Sequence, residues 1–203
     1  MSARRFGQVE KITVIGGGDL MVQAAILAQN AGLGVAAVLA PRHADETLPL
    51  ADKATAAAFA GISVRTHLVD DILDLEKILV ESDFLSVHVP LTKQTRHLID
   101  QHAFSVMKEK AVLINVARGE IVDNDALIEA LTSGRIKGAG IDAYVEEPLA
   151  PEHPLLKLDN VLTTPHVAGF TQGTWHRRAK AAAENIDRLA KGLSPRNLVN
   201  PLR

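Results

Sequence analysis

One arginine, one acid and one histidine each stand just past a short apolar run. Arg118 follows Val112–Val116, Glu147 follows Gly138–Ala143, and His166 follows Val161–Thr164. In an open parallel sheet, ligands collect beyond the carboxyl ends of the strands. Polar groups delivered to that edge by successive strands therefore converge on one site. Cation, carboxylate and imidazole together suit a reaction that binds an anionic carbonyl compound and moves a proton onto or off its oxygen.

The elements that must carry these groups alternate. Short β-branched runs predict strands at Ile12–Ile15, Val35–Leu39, Phe84–Val89, Val112–Val116, Ile136–Ile141 and Val161–Thr163, with a further short strand near Ile62–Val64. Between them, helical patterns cover Leu20–Ala31, Ala51–Ala60, Leu73–Val80, Gln101–Met107, Asn124–Thr132 and Thr171–Lys191, the last closing near Gly192. Strand–helix alternation of this kind predicts an α/β fold, a doubly wound parallel sheet with right-handed crossovers. A tail at 192–203 is polar and proline-flanked, and no linker or internal repeat divides the chain, so one dinucleotide-binding domain over 1–203 is expected.

Composition bounds the partners. With 203 residues and 47% hydrophobic content, one sizeable core can form. Aromatics supply only 3%, leaving Ala, Val, Ile and Leu to fill a sheet covered on both faces. A formal charge of −2 offers no electrostatic attraction to nucleic acid or an anionic membrane. The absence of cysteine excludes disulfides and thiolate metal sites and fits a reducing cytoplasm. No apolar run reaches the length that crosses a bilayer, and no signal peptide is evident. None of the other histidines (43, 67, 97, 102, 153 and 176) has metal-ligand spacing, so no metal is expected. Trp175, the sole tryptophan, is expected to pack the final helix.

Directly after the first strand comes Gly16-Gly17-Gly18-Asp19-Leu20-Met21, opening a helix. Gly16 and Gly18 occupy the first two glycine slots of a dinucleotide fingerprint, allowing a tight turn and close approach of backbone to a pyrophosphate. Met21 fills the third slot, so helix and strand must pack more loosely there. Asp19 favours the helix dipole when the site is empty but competes with a phosphate if it points inward. No acid ends the second strand to hold a ribose. Arg42 stands where a cation could meet a 2′-phosphate, which hints at NADP rather than NAD; an ordinary exposed loop residue is the equal alternative.

From Ser82 to Pro201 the chain resembles the cofactor domain of the D-isomer-specific 2-hydroxyacid dehydrogenases, which include phosphoglycerate dehydrogenases and glyoxylate/hydroxypyruvate reductases. The resemblance is carried by SDFLSVHVPLTKQTRHLI, MKEKAVLINVARGEIVD, LIEALTSGRIKGAGIDAYVEEP, HPLLKLDNVLTTPHVAG and PRNLVNP, in that order. Residues 12–39 match more loosely and 41–67 hardly at all. The resemblance implies a Rossmann-type fold and hydride transfer between NAD(P)H and a small 2-keto or 2-hydroxy acid. It implies that Arg118 holds the substrate carboxylate and polarises its carbonyl, and that His166 is the general acid in reduction and base in oxidation. It further implies that Glu147 hydrogen-bonds His166, orienting the ring and favouring its protonated form. Glu146, one residue off the motif, reads as a surface acid. Asp142 would contact the nicotinamide carboxamide, while His88, Val89, Pro90, Thr95, Val116, Ala117 and Val167–Gly169 would line the cofactor beside Gly16, Gly18, Asp19 and Leu20.

The family carries a substrate domain ahead of its cofactor domain, and here the first strand begins near Ile12, so that domain is expected to be absent. An open site would forfeit much of the positioning that domain closure supplies, worth roughly 7–11 kcal/mol of barrier in favourable cases. The isolated chain is therefore expected to bind nicotinamide dinucleotides weakly and to turn over glyoxylate or hydroxypyruvate poorly or not at all. The alternative is a non-catalytic dinucleotide-binding or interaction module derived from the family, as its corepressor relatives make thinkable. An exposed apolar face predicts a homo-oligomer such as a homodimer, or a partner chain supplying the substrate domain.

Overall fold

The computed structural model describes residues 11–16, 34–41, 66–69 and 72–196. It divides into two compact units, Met1–Pro165 and His166–Arg203.

In the first unit the described strands form one parallel seven-stranded sheet. They are β1 (Lys11–Gly16), β2 (Gly34–Pro41), β3 (Thr66–Val69), β4 (Phe84–His88), β5 (Val112–Asn115), β6 (Gly138–Ile141) and β7 (Val161–Thr163), in the order β3-β2-β1-β4-β5-β6-β7. Order reverses between β1 and β4, and a reversal of this kind opens a crevice beyond the strand ends. Register sets which groups share that edge: Gly16 pairs with His88, Val87 with Asn115, Asn115 with Ile141, and Ile141 with Thr163.

Helices α1 (Ile72–Leu79), α2 (Gln101–Val106) and α3 (Asn124–Thr132) supply apolar faces to the sheet. Leu75 and Leu79 from α1, Phe104 from α2, and Leu127 and Leu131 from α3 join Leu85, Val87, Leu113 and Ile141 from the strands in one buried cluster. Helix starts are written locally. Asp100 caps α2 by accepting from the Ala103 amide at 2.9 Å, and Asp123 caps α3 by accepting from those of Asp125 and Ala126, each at 3.1 Å. Past α3, Gly134 takes a φ of 72°, the left-handed backbone with which a helix commonly closes.

Several boundaries differ from the sequence expectation. The strand beside β2 is Thr66–Val69, whereas Ile62–Val64 lies outside the described residues, as do the helices expected at Leu20–Ala31 and Ala51–Ala60. β5 stops at Asn115, one residue early, because the Asn115 side chain turns the backbone: Nδ2 donates to the Arg118 carbonyl at 2.9 Å and Oδ1 accepts from the Ala117 amide at 3.1 Å. β6 begins only at Gly138, where a Cβ would stand 2.6 Å from the Asn160 carbonyl oxygen.

The second unit is dominated by α4 (Gln172–Ala190), capped by Thr171, whose hydroxyl accepts from the Thr174 amide at 3.1 Å. Trp175 meets Phe170 with ring centroids 5.7 Å apart, and Trp175, Ile186 and Leu189 are exposed. Among the described residues no helix is long and apolar enough to cross a membrane.

Leu113, on β5 between two paired neighbours, has no exposed surface. Leu113→Ala is expected to cost about 2–5 kcal/mol of stability, since transfer and cavity terms add at such a site. Urea denaturation should show a lower midpoint with an unchanged slope.

Candidate active site

The sheet's carboxyl edge collects the groups that the strands deliver. Asn115 is buried at the end of β5 and shapes the turn that follows, so that Arg118 leaves the sheet as the residue preceding a short 3₁₀ turn, Gly119–Ile121. The Arg118 side chain is exposed, and its Nη1 donates to the Ala117 carbonyl at 2.6 Å. Next to it, Gly119 is pressed against the loop after β6. A Cβ there would stand 2.1 Å from the Tyr144 carbonyl carbon and 2.3 Å from the Val145 nitrogen. Only a residue with no side chain allows this approach, so the loops bearing Arg118 and Glu147 touch backbone to backbone.

Glu147 is exposed, and its Oε1 accepts from the Tyr144 amide at 3.0 Å. Its bond to Pro148 is cis. Asp142, just past β6, is 3% exposed; its amide donates to the Asn115 carbonyl at 2.9 Å and its Oδ1 accepts from the Thr164 hydroxyl at 2.5 Å. The Tyr144 hydroxyl stands 2.9 Å from both the Ile141 and the Thr164 carbonyl oxygens. Burial pushes its phenol up from the ordinary 10.0, with Asp142 and Glu147 adding in the same direction. A shallow depression beside these loops is lined in part by Asn115, Gly119, Tyr144 and Val145.

At the switch point, Gly16 ends β1 beside His88 of β4. His88 is half-buried with Nε2 2.8 Å from the Ser86 hydroxyl, and burial lowers its pKa from 6.5, which keeps the ring neutral at physiological pH. Val89 is buried, and the Pro90 carbonyl accepts from the buried Thr95 hydroxyl at 2.6 Å, which folds the following loop back on the strand end. Val116 and Ala117 are half-buried at the exit of β5. Gly16, His88, Val89, Pro90, Thr95, Val116, Ala117 and Asp142 thus all stand at strand ends or in the loops leaving them. Gly18, Asp19, Leu20 and Arg42 lie outside the described residues.

His166 opens the second unit and is described with it. Its φ is 53°, left-handed backbone that a non-glycine residue rarely takes and that concentrates at functional positions. Gly169 is exposed in the same unit. Among the described residues no group of three His, Cys, Asp or Glu side chains could hold a metal ion.

A dinucleotide fits this edge on two counts. Strand order reverses beside a terminal glycine, and the polar groups there are buried and already oriented by their own hydrogen bonds. The comparisons agree. Residues 8–168 match the family model described as D-isomer specific 2-hydroxyacid dehydrogenase, NAD binding domain.

The chain belongs to this family.

A glyoxylate reductase of Korarchaeum cryptofilum is 47% identical over 130 residues, which make up 64% of this chain and 39% of that protein. A D-isomer specific 2-hydroxyacid dehydrogenase from Xanthobacter autotrophicus, solved with NADPH and MES, superposes with a TM-score of 0.73 at 32% identity, covering 95% of this chain and 71% of that one. D-lactate dehydrogenase from Lactobacillus jensenii, solved with NAD⁺, gives 0.72 at 29% identity over 95% and 56% of the two chains. The family chain described here thus spans about two-fifths of the length of the curated glyoxylate reductase it matches.

Asn115, Gly119, Tyr144 and Thr164 were not singled out in the sequence, although all four shape the edge. Gly119 alone carried a signal, a glycine immediately after the arginine. Its role is space, which composition and periodicity do not register.

Two outcomes test this geometry. Gly119→Ala forces backbone apart and should destabilise by roughly 1–3 kcal/mol or more, read from the urea midpoint. His88 takes up its proton more readily in the unfolded chain, so its contribution to stability is lost as pH falls from 6.5 toward the lowered folded value. His88→Asn should therefore flatten the acid limb of a plot of Tm against pH.

Proposed function

We propose that this chain is the nicotinamide-binding part of an oxidoreductase that interconverts a small 2-keto acid and its D-2-hydroxy acid, with Arg118, Glu147 and His166 as its working groups. The observation that carries this reading is the backbone contact at Gly119, which brings the Arg118 and Glu147 loops together beside Asp142 at the sheet's carboxyl edge. The left-handed backbone at His166 supports it, because such backbone is costly for a non-glycine residue and clusters at functional positions.

Gly16, His88, Val89, Pro90, Thr95, Val116, Ala117 and Asp142, with Gly18, Asp19, Leu20 and Gly169, would hold the dinucleotide. When bound, its dihydronicotinamide supplies the hydride that the substrate's carbonyl carbon receives. Arg118 grips the substrate carboxylate with a planar pair of donors and draws electron density toward the carbonyl oxygen. His166 gives that oxygen its proton in reduction and removes it in oxidation, and Glu147 orients the ring. Asp142, fixed by Thr164 and Asn115, presents its carboxylate to the carboxamide. Neutral His88 adds no charge at the β4 end.

Glyoxylate or hydroxypyruvate is the proposed acid, on the likeness to glyoxylate reductases. Arg42 favours NADP through a 2′-phosphate. The absence of cysteine suits work in a reducing cytoplasm. Met21, in the third glycine slot, favours a second reading, a module that binds the dinucleotide without turnover.

Calorimetric titration with NAD⁺, NADH, NADP⁺ and NADPH should show binding, tighter for the phosphorylated pair, with Arg42→Ala removing the difference. Oxidation of NADPH by glyoxylate that His166→Asn abolishes would establish the enzyme. Asparagine is chosen because it tolerates left-handed backbone. Binding without turnover would favour the module, and no binding of any form would remove both readings.

A further inference from the structure

His97 takes a φ of 53°, left-handed backbone that residues other than glycine rarely adopt. In that conformation its amide donates to the Glu120 carbonyl at 2.8 Å. Glu120 lies two residues past Arg118, inside the Gly119–Ile121 turn. Farther along, the Ile99 amide donates to the Ile121 carbonyl at 3.1 Å, and the Ile99 carbonyl accepts from the Asp123 amide at 2.9 Å. Ile99 and Val122 thereby pair as a short parallel bridge. Of these ties, the His97 bond stands nearest Arg118. The segment that leaves β4 is thus laced to the segment that leaves β5, and both belong to the first unit. The imidazole itself adds little. Its Nδ1 is 3.7 Å from Asp123 Oδ2 with both side chains partly exposed, and such a pair is worth little in water.

We propose that His97 is a positioning residue whose left-handed backbone holds the turn that carries Arg118. Gly119 rests on the Tyr144 backbone, and the next residue, Glu120, is held by the His97 amide. With both contacts made, the chain on the C-terminal side of Arg118 is fixed, and the guanidinium starts from a set point on the carboxyl edge. This rests on the carboxylate-binding role given to Arg118 under Proposed function. Glycine reaches the same backbone without strain, whereas valine, branched at Cβ, is driven out of it. A chain returned to ordinary φ would turn the amide away from Glu120 and leave the Ile99 pairing to hold the two loops.

The test follows the Arg118 Nε–H resonance, assigned by its loss in Arg118→Lys, while glyoxylate is added without dinucleotide so that nothing turns over. In the unsubstituted chain the resonance should move as glyoxylate binds. His97→Gly should titrate at the same glyoxylate concentration, because it keeps the backbone and discards only the imidazole. His97→Val should need several-fold more glyoxylate while circular dichroism stays that of the folded chain. Should His97→Val fail to fold, His97→Ala, whose unbranched Cβ carries a smaller left-handed penalty, takes the same test. Titration of that variant at the unsubstituted concentration would overturn the role of His97 alone. Weakening by His97→Gly as large as that by His97→Val would place the effect in the imidazole and overturn the backbone role as well. A resonance indifferent to glyoxylate in the unsubstituted chain would strike out Arg118 as the carboxylate's partner, and the role of His97 with it.

Discussion

Backbone packed on backbone at Gly119 is the contact on which the arrangement at the carboxyl edge depends. Strands β5 and β6 are neighbours in register, yet the loops that leave them would ordinarily be held apart by side chains. With hydrogen in place of a Cβ, the turn after Arg118 lies directly on Tyr144 and Val145. From that contact outward, the polar groups of the edge satisfy one another. Asn115 holds the Arg118 turn, the Tyr144 amide holds Glu147, and Thr164 holds Asp142. Each is a short local bond, and together they pre-orient groups that would otherwise pay for ordering when a ligand arrives.

A parallel sheet makes such an edge possible because every strand delivers its carboxyl end to the same side. The strand order reverses between β1 and β4, beside Gly16 and His88, the kind of position at which open parallel sheets hold their ligands. The buried cluster beneath, centred on Leu85, Val87 and Leu113, keeps those ends from moving relative to one another. Dense packing of this kind transmits position, so the placement of exposed Arg118 and Glu147 is set by residues that never meet solvent.

Membership in the D-isomer specific 2-hydroxyacid dehydrogenase NAD-binding family follows from the match over 8–168. Further polar bonds hold the edge. Thr95 ties to Pro90, Tyr144 to the exits of β6 and β7, and Ser86 to His88. They tie the edge together without adding net charge to it.

Most of the fold was legible in order along the chain. Periodicity located α3 to the residue, because Asp123 and Gly134 punctuate it by local chemistry, and it located β7 and the carriers of Arg118, Glu147 and His166 for the same reason. The strand at Thr66–Val69 was missed because its identity comes from pairing with Val38–Pro41, a long-range match that four residues do not announce. Asn115 and Tyr144 were equally silent, since a hydrogen bond to a carbonyl elsewhere in the sheet leaves no trace in spacing. Sequence by itself determined the alternation, the caps and the residue types brought to the edge, all of which are set by neighbours within a few positions. Only the tertiary structure decided that the Arg118 and Glu147 loops touch and that Tyr144 bridges two strand exits, because those are distances between segments that meet only after the sheet has formed.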